Sequence, residues 1–427
     1  MNTIAAYTLG CKVNQYDTEA MLEQFESAGW RRVDFADEAD VYLINTCTVT
    51  GTGDNKSMKL IRRILRERPQ SGVIVAGCLA QRDADRVSLP GVRLVIGTAR
   101  RSECYALYTQ AVGEGIQLRA VGDIQKAGFE PMRVTRHEGF TRAYMKIQEG
   151  CDRYCAYCAI PYVRGRPRSM PMDRLTDEAN ALGEEGYKEI VLTGIHLASF
   201  GRDTGATLPQ AIEAAAGAEG VLRVRLGSLE PVTVTEDFAR FCADTPKLAR
   251  QFHLSLQSGS GTVLRRMNRR YTPDEYLRAV DTLRKHMPLC AVTTDVICGF
   301  PGETEEEFKE SCGFVEKAQL SRVHVFPYSR RSGTRADKMP GQLTEAVKRD
   351  RARELISIGN RLEQAYVQRF VGLVREVLFE TAQDGSVEGY TGEYVRTRAH
   401  GNPGEMRPVH MDEAQGTLLV GTALRDR

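Results

Sequence analysis

Short apolar runs alternate with helical patterns along residues 1–118. We predict strands at TIAAYTL (3–9), VYLINTC (41–47), GVIVAGC (72–78) and RLVIGT (93–98). Between them, residues 17–29 form an amphipathic helical pattern that ends at Gly29, and residues 55–68 form a second helical pattern rich in Lys and Arg. Strands and helices that alternate in this way predict a parallel α/β sheet.

A second α/β series follows. Its six candidate strands are AYMKIQ (143–148), EIVLTGI (189–195), VLRVRLGS (221–228), FHLSLQ (252–257), VTTDVICGF (292–300) and RVHVFPY (322–328). Six units are fewer than the eight of a closed (β/α) barrel, so the pattern predicts a partial barrel. A charged helix is predicted over 342–369, and the short strand-like pieces after it predict a small β-barrel.

These patterns divide the chain into three domains. We place an N-terminal α/β domain at 1–118, a partial barrel at 143–365 and a terminal β-barrel at 366–427. Residues 119–142 are rich in Arg and Lys, contain Pro131 and show little apolar periodicity, which is typical of a linker. The fold class is therefore α/β with a small all-β domain at its end.

Composition is that of an ordinary globular chain. The 427 residues are 42% hydrophobic and 27% charged, and 58 basic residues against 56 acidic ones leave a net charge of +2. Overall charge therefore makes no case for nucleic acid. The N-terminus lacks the pattern of a secretory signal, and no apolar run approaches the ~18 residues of a membrane helix. We expect a cytoplasmic protein without a membrane partner.

Cysteine spacing carries the strongest chemical signal. The segment EGCDRYCAYCAIP places Cys151, Cys155 and Cys158 in a C-x3-C-x2-C spacing directly after a predicted strand. Three thiolates in one loop can hold three irons of a 4Fe-4S cube, and the fourth iron then remains open to a chelating cofactor. A structural zinc site normally has four protein ligands, and no fourth Cys or His follows at the spacing of a zinc finger.

A second set of cysteines lies at three strand ends of the N-terminal domain. Cys11, Cys47 and Cys78 each follow a predicted strand, and in a parallel sheet these strand ends share one edge. A second three-thiolate cluster would fit there, although buried cysteines near strand ends are also common. The other five cysteines share no ligand spacing and are interpreted as core residues: Cys104, Cys242, Cys290, Cys298 and Cys312.

The triplet, the aromatic Tyr157 before its last cysteine and the strand ends that follow resemble the radical S-adenosylmethionine (SAM) superfamily. The resemblance implies that the open iron chelates SAM and that electron transfer from the cluster yields a 5′-deoxyadenosyl radical. It also implies SAM contacts at the strand ends. The candidates are Glu230 for the ammonium group, Ser255 and Gln257 for the ribose, and Gly299 with Gly302 near the adenine.

Over essentially the whole chain, the six cysteines and their order resemble the methylthiotransferase family. The resemblance implies a sulfur-bearing 4Fe-4S cluster on Cys11, Cys47 and Cys78, a radical-generating one on Cys151, Cys155 and Cys158, and a terminal TRAM domain. SAM would then serve as methyl donor and radical source. No catalytic residue beyond the cluster ligands is expected, since the cofactors carry the hard step. The implied partners are a reductase or flavodoxin-type electron donor and a sulfur donor of unknown identity.

Three substrates are open within that family. GCKVNQYDTE with INTCTVT most resembles the branch that acts on N6-threonylcarbamoyladenosine 37 in the tRNA anticodon loop, whereas GCDRYC resembles the branch that acts on a ribosomal-protein aspartate. Isopentenyladenosine 37 is the third. A non-enzymatic RNA-binding protein with structural iron–sulfur or zinc sites is an alternative from another class.

Arginine clusters favour an RNA substrate, because an RNA stem needs cations against its phosphates. Three groups lie near strand ends of the barrel: Arg164, Arg166 and Arg168; Arg265, Arg266, Arg269 and Arg270 beside Tyr271; and Arg330, Arg331 and Arg335. The tail from residue 365 carries seven Arg and no Lys against nine acidic residues, a net charge of −2. Within it, Arg396 and Arg398 are the candidates for a local basic patch.

Overall fold

Six parallel strands form the N-terminal sheet in a computed structural model that describes residues 1–383 and 385–424. The strands are β1 (Thr3–Thr8), β2 (Arg31–Arg32), β3 (Val41–Thr46), β4 (Gly72–Gly77), β5 (Val92–Ile96) and β6 (Leu118–Ala120). Their order is β2-β1-β3-β4-β5-β6, so β1, β3 and β4 are neighbours. All five pairings are parallel, as predicted.

Helices cover both faces of this sheet. They are α1 (Lys12–Ser27), α2 (Gly51–Glu67), α3 (Cys78–Arg82), α4 (Ala84–Val87) and α5 (Cys104–Gly113). Successive strand residues lie on opposite faces of the sheet. Leu43 packs in the core on the α1 and α5 side, and Ile44 packs in the core on the α2 and α3 side. Strands buried on both faces are typical of parallel sheets, which explains their continuous apolar runs.

Helix α1 begins five residues before the predicted start at residue 17. Its first turns bury Asn14, Asp17, Thr18 and Glu19, and these polar residues interrupt the apolar periodicity that marks a helix. Tertiary partners compensate for the burial; Asn14, for example, donates hydrogen bonds to the backbone carbonyls of Leu9, just after β1, and of Thr46 in β3. The apolar periodicity therefore did not predict the first turns of the helix, which lie nearest to Cys11.

The middle domain is a partial barrel whose wall consists of two four-stranded sheets. Their orders are β10-β9-β7-β8 and β11-β12-β13-β14. The strands are β7 (Ala143–Glu149), β8 (Arg168–Ser169), β9 (Glu189–Gly194), β10 (Arg223–Leu226), β11 (Ser228–Leu229), β12 (Gln251–Leu254), β13 (Ala291–Cys298) and β14 (Arg322–Pro327). The chain passes from one sheet to the other at Gly227, between β10 and β11.

Helices pack on the outside of this wall. They are α6 (Ile160–Arg164), α7 (Met172–Glu184), α8 (Leu208–Gly217), α9 (Glu236–Asp244), α10 (Gly261–Arg266), α11 (Pro273–His286), α12 (Glu305–Ala318) and α13 (Glu345–Gln368). The core between helices and sheet contains alternate strand residues, among them Ala143, Met145, Val224 and Leu226. The residues between them, such as Tyr144 and Arg225, therefore face the barrel interior.

The tail forms a closed five-stranded barrel, as predicted. Its strands are β15 (Val374–Gln383), β16 (Ser386–Thr391), β17 (Arg396–Ala399), β18 (Met406–Gln415) and β19 (Leu418–Ala423), in the order β15-β16-β17-β19-β18. Arg223 and Arg225 of β10 dock this barrel by donating hydrogen bonds to its backbone carbonyls at 2.9–3.2 Å. Asp384 and residues 425–427 of the predicted third domain lie outside the described residues.

The predicted linker is structured. Its first residues belong to β6, which runs two residues past the predicted boundary at 118. Met132 and Val134 then pack on Tyr16 and Ala20 of α1. Because these apolar residues contact a helix far away in the chain, they show no periodicity of their own.

Candidate active site

The cysteines of the first predicted set lie at one edge of the N-terminal sheet. Cys11 precedes α1, Cys47 follows β3 directly, and Cys78 begins α3 after β4. The three strands that lead to them are adjacent, and the thiols lie close enough to interact electrostatically with one another. The structure thus brings together three residues, the first and last of which are 67 positions apart in the chain.

Gly10 allows the first of these loops to approach the second. Its φ angle is +109°, and a Cβ built on it would lie 2.9 Å from Cβ and 3.0 Å from Sγ of Cys47. Only glycine adopts this conformation without strain and leaves room for the neighbouring side chain. Gly10 therefore determines how close Cys11 and Cys47 come.

Burial keeps the thiols of Cys47 and Cys78 protonated unless a cation is present. It raises the pKa of Cys47 to about 11, against a hydrogen bond from the Val49 amide, and it raises the pKa of Cys78 despite the nearby Arg164. Metal ligation requires the thiolate. Buried thiols grouped in this way fit a bound iron cluster, which supplies the missing positive charge.

The second predicted set occupies the loop after β7. Backbone hydrogen bonds shape this loop: the Cys151 amide donates to Gly165 O, the Cys158 amide to Cys155 O and the Ala156 amide to Met267 O, each at 2.9 Å. Burial raises the pKa of Cys151 to about 11 and that of Cys158 to about 12. The set has the same donor chemistry as the first.

Within the described residues, no group of three or more His, Cys, Asp or Glu side chains is arranged to hold a metal ion. A cubane cluster does not need such convergence, because each thiolate binds a different iron. Each cysteine set supplies the three thiolates that such a cluster takes from the protein.

Arg164 joins the two cysteine regions. It lies at the end of α6, six residues after Cys158, and its Nε donates to Sγ of Cys78 at 3.3 Å. Its guanidinium also contacts the carboxylates of Asp17 and Glu149. A single buried side chain therefore contacts the N-terminal sheet edge and the end of β7.

A buried ionic network surrounds Arg164. Nζ of Lys146 lies 2.5 Å from Asp17 and 3.1 Å from Glu149, and Arg101 contacts both carboxylates. Burial would raise the pKa of Asp17 and of Glu149, but Arg101, Lys146 and Arg164 lower both below their ordinary values. The network therefore stays ionised, and it ties α1 to the first barrel strand.

Glu230, the candidate for the SAM ammonium group, already has cationic neighbours. Its carboxylate lies 2.6 Å from Arg153, 3.2 Å from His196 and 3.3 Å from Arg269. Burial alone would raise the pKa of Glu230, but the hydrogen bond from His196 and the two guanidinium charges lower it to about 2. The same Arg269 donates to Sγ of Cys155 at 3.2 Å, so Glu230 is connected to the cysteine loop.

Ser255 and Gln257, the candidates for the ribose, follow the end of β12 and have no side-chain hydrogen bond to the described residues. Gln257 adopts a left-handed conformation with φ of +70°, and its backbone bridges to Asp295 and Ile297 of β13. A bulky residue held in this conformation is strained, and such strain concentrates at ligand sites. Their free polar atoms are compatible with a bound ligand.

Two further candidates for the SAM site, Tyr157 and Gly299, have apolar or aliphatic neighbours. Tyr157 packs against the cluster that contains Phe300 and Tyr328, and burial raises its pKa well above the ordinary value. Gly299 has φ of +72°, and the space where a Cβ would stand is filled by Lys348 of α13. Helix packing therefore requires glycine at this position, and the approach of its backbone to adenine stays a prediction.

Two family models match this chain. The description "Uncharacterized protein family UPF0004" matches residues 3–97, and "Radical SAM superfamily" matches residues 145–315. The threonylcarbamoyladenosine tRNA methylthiotransferase MtaB of Bacillus subtilis is 41% identical over 407 residues, which are 93% of this chain and 90% of that protein. The chain belongs to the radical SAM methylthiotransferase family.

Further relatives share most of their length with it. A protein of the same name from Aquifex aeolicus is 36% identical and covers 92% of this chain and 99% of its own. A tRNA-2-methylthio-N(6)-dimethylallyladenosine synthase from Acetivibrio thermocellus is 32% identical, with 92% and 83% covered. Membership confirms a radical SAM enzyme and implies that it uses SAM and iron–sulfur chemistry.

A solved structure supports the fold. The radical SAM methyltransferase TsrM from Kitasatospora setae superposes with a TM-score of 0.54 at 15% identity, over 76% of this chain and 73% of that one. In the described part of the chain, no helix has the length and apolar character needed to cross a membrane.

The structure withdraws four of the predicted RNA-binding arginines from the surface. Arg164 and Arg168 are buried, Arg331 is buried against Asp54, and Arg269 contacts Glu230. Arg266 pairs with Glu307 and Arg398 with Glu388. Arg330 and Arg396 pair with Asp337 and Glu388 but remain exposed. Arg166, Arg265, Arg270 and Arg335 are exposed. Charge density along the sequence did not reveal which arginines have buried carboxylate partners.

Several site residues escaped the sequence reasoning. Asp17, Lys146 and Glu149 of the buried network were missed because their partners are distant in sequence. His196 and Arg153 beside Glu230 were missed for the same reason, although Arg153 lies inside the cysteine triplet. A charged residue inside an otherwise apolar strand, such as Lys146 in AYMKIQ, was the one usable signal.

Proposed function

We propose that this enzyme converts N6-threonylcarbamoyladenosine 37 of tRNA to its 2-methylthio derivative. The observation that carries the proposal is the pairing of two three-cysteine sets through Arg164, which contacts Cys78 in one set and follows Cys158 of the other. Relatives named for threonylcarbamoyladenosine at 36–41% identity support the choice of base over the two alternatives.

The ligand assignment follows from the cysteine positions. Cys11, Cys47 and Cys78 would hold one 4Fe-4S cluster, and Cys151, Cys155 and Cys158 would hold the other. When bound, these groups and SAM supply sulfur, a methyl group and a carbon radical able to abstract hydrogen from an unactivated C–H bond. Acid–base groups cannot remove such a hydrogen. The residues of the chain would therefore bind and orient the substrate and the cofactors, and would exclude water from them.

The SAM contacts are assigned by position and charge. Glu230 remains ionised at neutral pH and would face the ammonium group of SAM. Arg153 and Arg269, which contact Glu230, would also face the carboxylate group of SAM. Ser255 and Gln257 offer a hydroxyl and an amide with no partner in the described residues, which suits a ribose. Tyr157 would pack beside the cysteines, because its ring already lines the apolar side of that loop.

An exposed aromatic pair beside the cysteine loop suits a single-stranded RNA loop. Tyr154 and Tyr162 are 42% and 51% exposed, and their ring centroids lie 5.6 Å apart at an interplanar angle of 72°. The exposed Arg166 follows the same loop in sequence. The exposed Arg270 and Arg335 lie close in sequence to Met267 and Ala336, whose backbones form hydrogen bonds with Ala156 of the loop. Aromatic rings on which bases stack, with cations for the backbone, are typical of such binding.

The reductant and the sulfur source are proposed by class alone. A reductase or a flavodoxin-type protein would deliver the electron, and the sulfur donor is left open.

The first test is mass spectrometry of tRNA nucleosides from cells that lack the gene, with and without its restoration. We expect 2-methylthio-N6-threonylcarbamoyladenosine to disappear and to return. Its persistence in a strain with no second enzyme would overturn the proposal. Loss of the isopentenyladenosine product, or of the methylthio group on a ribosomal-protein aspartate, would identify one of the alternatives instead.

Iron analysis tests the ligand sets. The reconstituted protein should contain about eight irons with sulfide, and Cys47→Ala should reduce the count to about four and abolish product. Cys104→Ala is the matched control, because Cys104 is buried in the same domain away from the predicted site. An unchanged iron count in Cys47→Ala would remove that cysteine from the set.

A further inference from the structure

Lys12 has a cationic side chain that faces the barrel interior. It is the first residue of α1 and directly follows Cys11. Its side chain is exposed, and Nζ lies 5.7 Å from the centre of the Tyr144 ring. Among the described residues it has no ion pair and no side-chain hydrogen bond. Its charge is therefore available to a ligand.

The direction of Lys12 follows from the strand it approaches. Tyr144 alternates along β7 with Ala143 and Met145, which pack under the outer helices. The Tyr144 ring consequently lies on the opposite, interior face. Arg225 occupies the same face of β10, and its charge acts on Lys12. Lys12 thus projects from the N-terminal domain into the barrel.

Cations outnumber carboxylates around this position. Glu189 is shared by three guanidinium groups, at 2.7 Å from Arg225, 3.1 Å from Arg223 and 3.5 Å from Arg142. Glu189 and Arg142 both lie within electrostatic range of Lys12. One carboxylate cannot balance these charges.

A second carboxylate, Glu380 of the terminal barrel, lies 2.6 Å from Arg142. With it, two carboxylates face four cations, and Lys12 is the cation without a partner. An anionic group that entered the interior here would meet an uncompensated positive charge.

We propose that Lys12 binds the carboxylate of the threonyl group on the substrate base and so selects this base over neutral N6-substituted adenosines. The inference rests on the proposed function, in which carbon 2 of adenine meets the sulfur held by the Cys11 set. The N6 substituent is on the same ring, and Lys12 is the residue next to Cys11, with its Cα only about 3.8 Å further along the chain. A base positioned for reaction at carbon 2 would therefore bring its threonyl carboxylate within reach of Lys12.

The experiment compares two anticodon stem-loops, one with the free threonyl carboxylate and one with its methyl ester. Dissociation constants and rates of methylthiolation are measured with reconstituted enzyme of equal iron content. We expect the wild-type protein to bind the acid about tenfold or more tightly than the ester, as for a charge-assisted hydrogen bond. Lys12→Met should lose this discrimination, and Lys12→Arg should retain most of it.

Lys317→Met is the matched control, because Lys317 is exposed on α12, outside the barrel. It should discriminate acid from ester as the wild type does. Equal discrimination by Lys12→Met with full iron content would overturn the role of Lys12. A wild-type enzyme with full iron content that modifies neither stem-loop would overturn the proposed function itself, which is a different result.

Discussion

Nε of Arg164 lies 3.3 Å from Sγ of Cys78, and the whole guanidinium is buried between two domains. The contact joins the loop after the C-x3-C-x2-C triplet to a cysteine of the other set. Because Asp17 and Glu149 share the same guanidinium, the position of one cysteine region is coupled to that of the other.

Arg164→Met should destabilise the protein by about 3–5 kcal/mol, because it leaves two buried carboxylates short of a partner. Urea unfolding of the metal-free protein measures this change. Arg166→Met is the control, since Arg166 is two residues away and exposed, and it should change stability by less than about 0.5 kcal/mol. Equal stabilities of the two variants would show that the network contributes little.

Glu178 should make stability depend on pH between about 4.5 and 8. Burial raises the pKa of Glu178 to about 8, although its hydrogen bond from Tyr16 opposes the shift. The folded state therefore binds a proton that the unfolded state has released, so the stability contribution is complete below pH 4.5 and is lost as the pH rises towards 8. The slope should approach about 1.4 kcal/mol per pH unit.

The variant Glu178→Gln provides the comparison, since an amide keeps the shape and does not titrate. Chemical denaturation at several pH values should give a flatter profile for Glu178→Gln than for the wild type. Parallel profiles would mean that Glu178 ionises normally.

Gln257→Gly should weaken SAM binding about tenfold, because it removes the amide that we assign to the ribose. Glycine relieves the left-handed strain, so folding should be maintained or improved. Equilibrium dialysis with SAM and the cluster-loaded protein measures the affinity, and Gln257→Asn, which keeps a shorter amide, should lie between. Unchanged affinity in Gln257→Gly would exclude Gln257 from the SAM site.

Tyr154→Leu should weaken binding of the anticodon stem-loop by about 1–3 kcal/mol, the contribution of a stacked base. Tyr154→Phe retains the ring and should bind as the wild type does. Fluorescence anisotropy at fixed ionic strength measures both. If leucine and phenylalanine behave alike, the Tyr154 ring does not stack on RNA.

The long strands and their order of succession could be predicted from the sequence, because apolar runs and turn residues are local signals. The short strands β2, β6 and β8 were not predicted. Each predicted strand of the two α/β series has its counterpart in the structure. The convergence of Cys11, Cys47 and Cys78 could be predicted as well, since the carboxyl ends of adjacent parallel strands share an edge. The start of α1 was missed because its buried polar residues resemble a loop.

The arginines show where sequence reasoning fails. Arg166 and Arg164 are equivalent in a count of positive charges, yet one is exposed and the other lies fully buried among carboxylates. The difference depends on Asp17 and Glu149, which are 147 and 15 residues away from Arg164.

The sequence by itself determined the α/β architecture, the terminal barrel and the two sets of cysteines, because periodicity and spacing are properties of neighbouring residues. Only the tertiary structure decided which charges neutralise each other and which remain free. Lys12 illustrates the reason: its charge is available to a ligand because Glu189, 177 positions away, is already shared by three arginines. Electrostatic pairing depends on distances in space, which the order of residues does not contain.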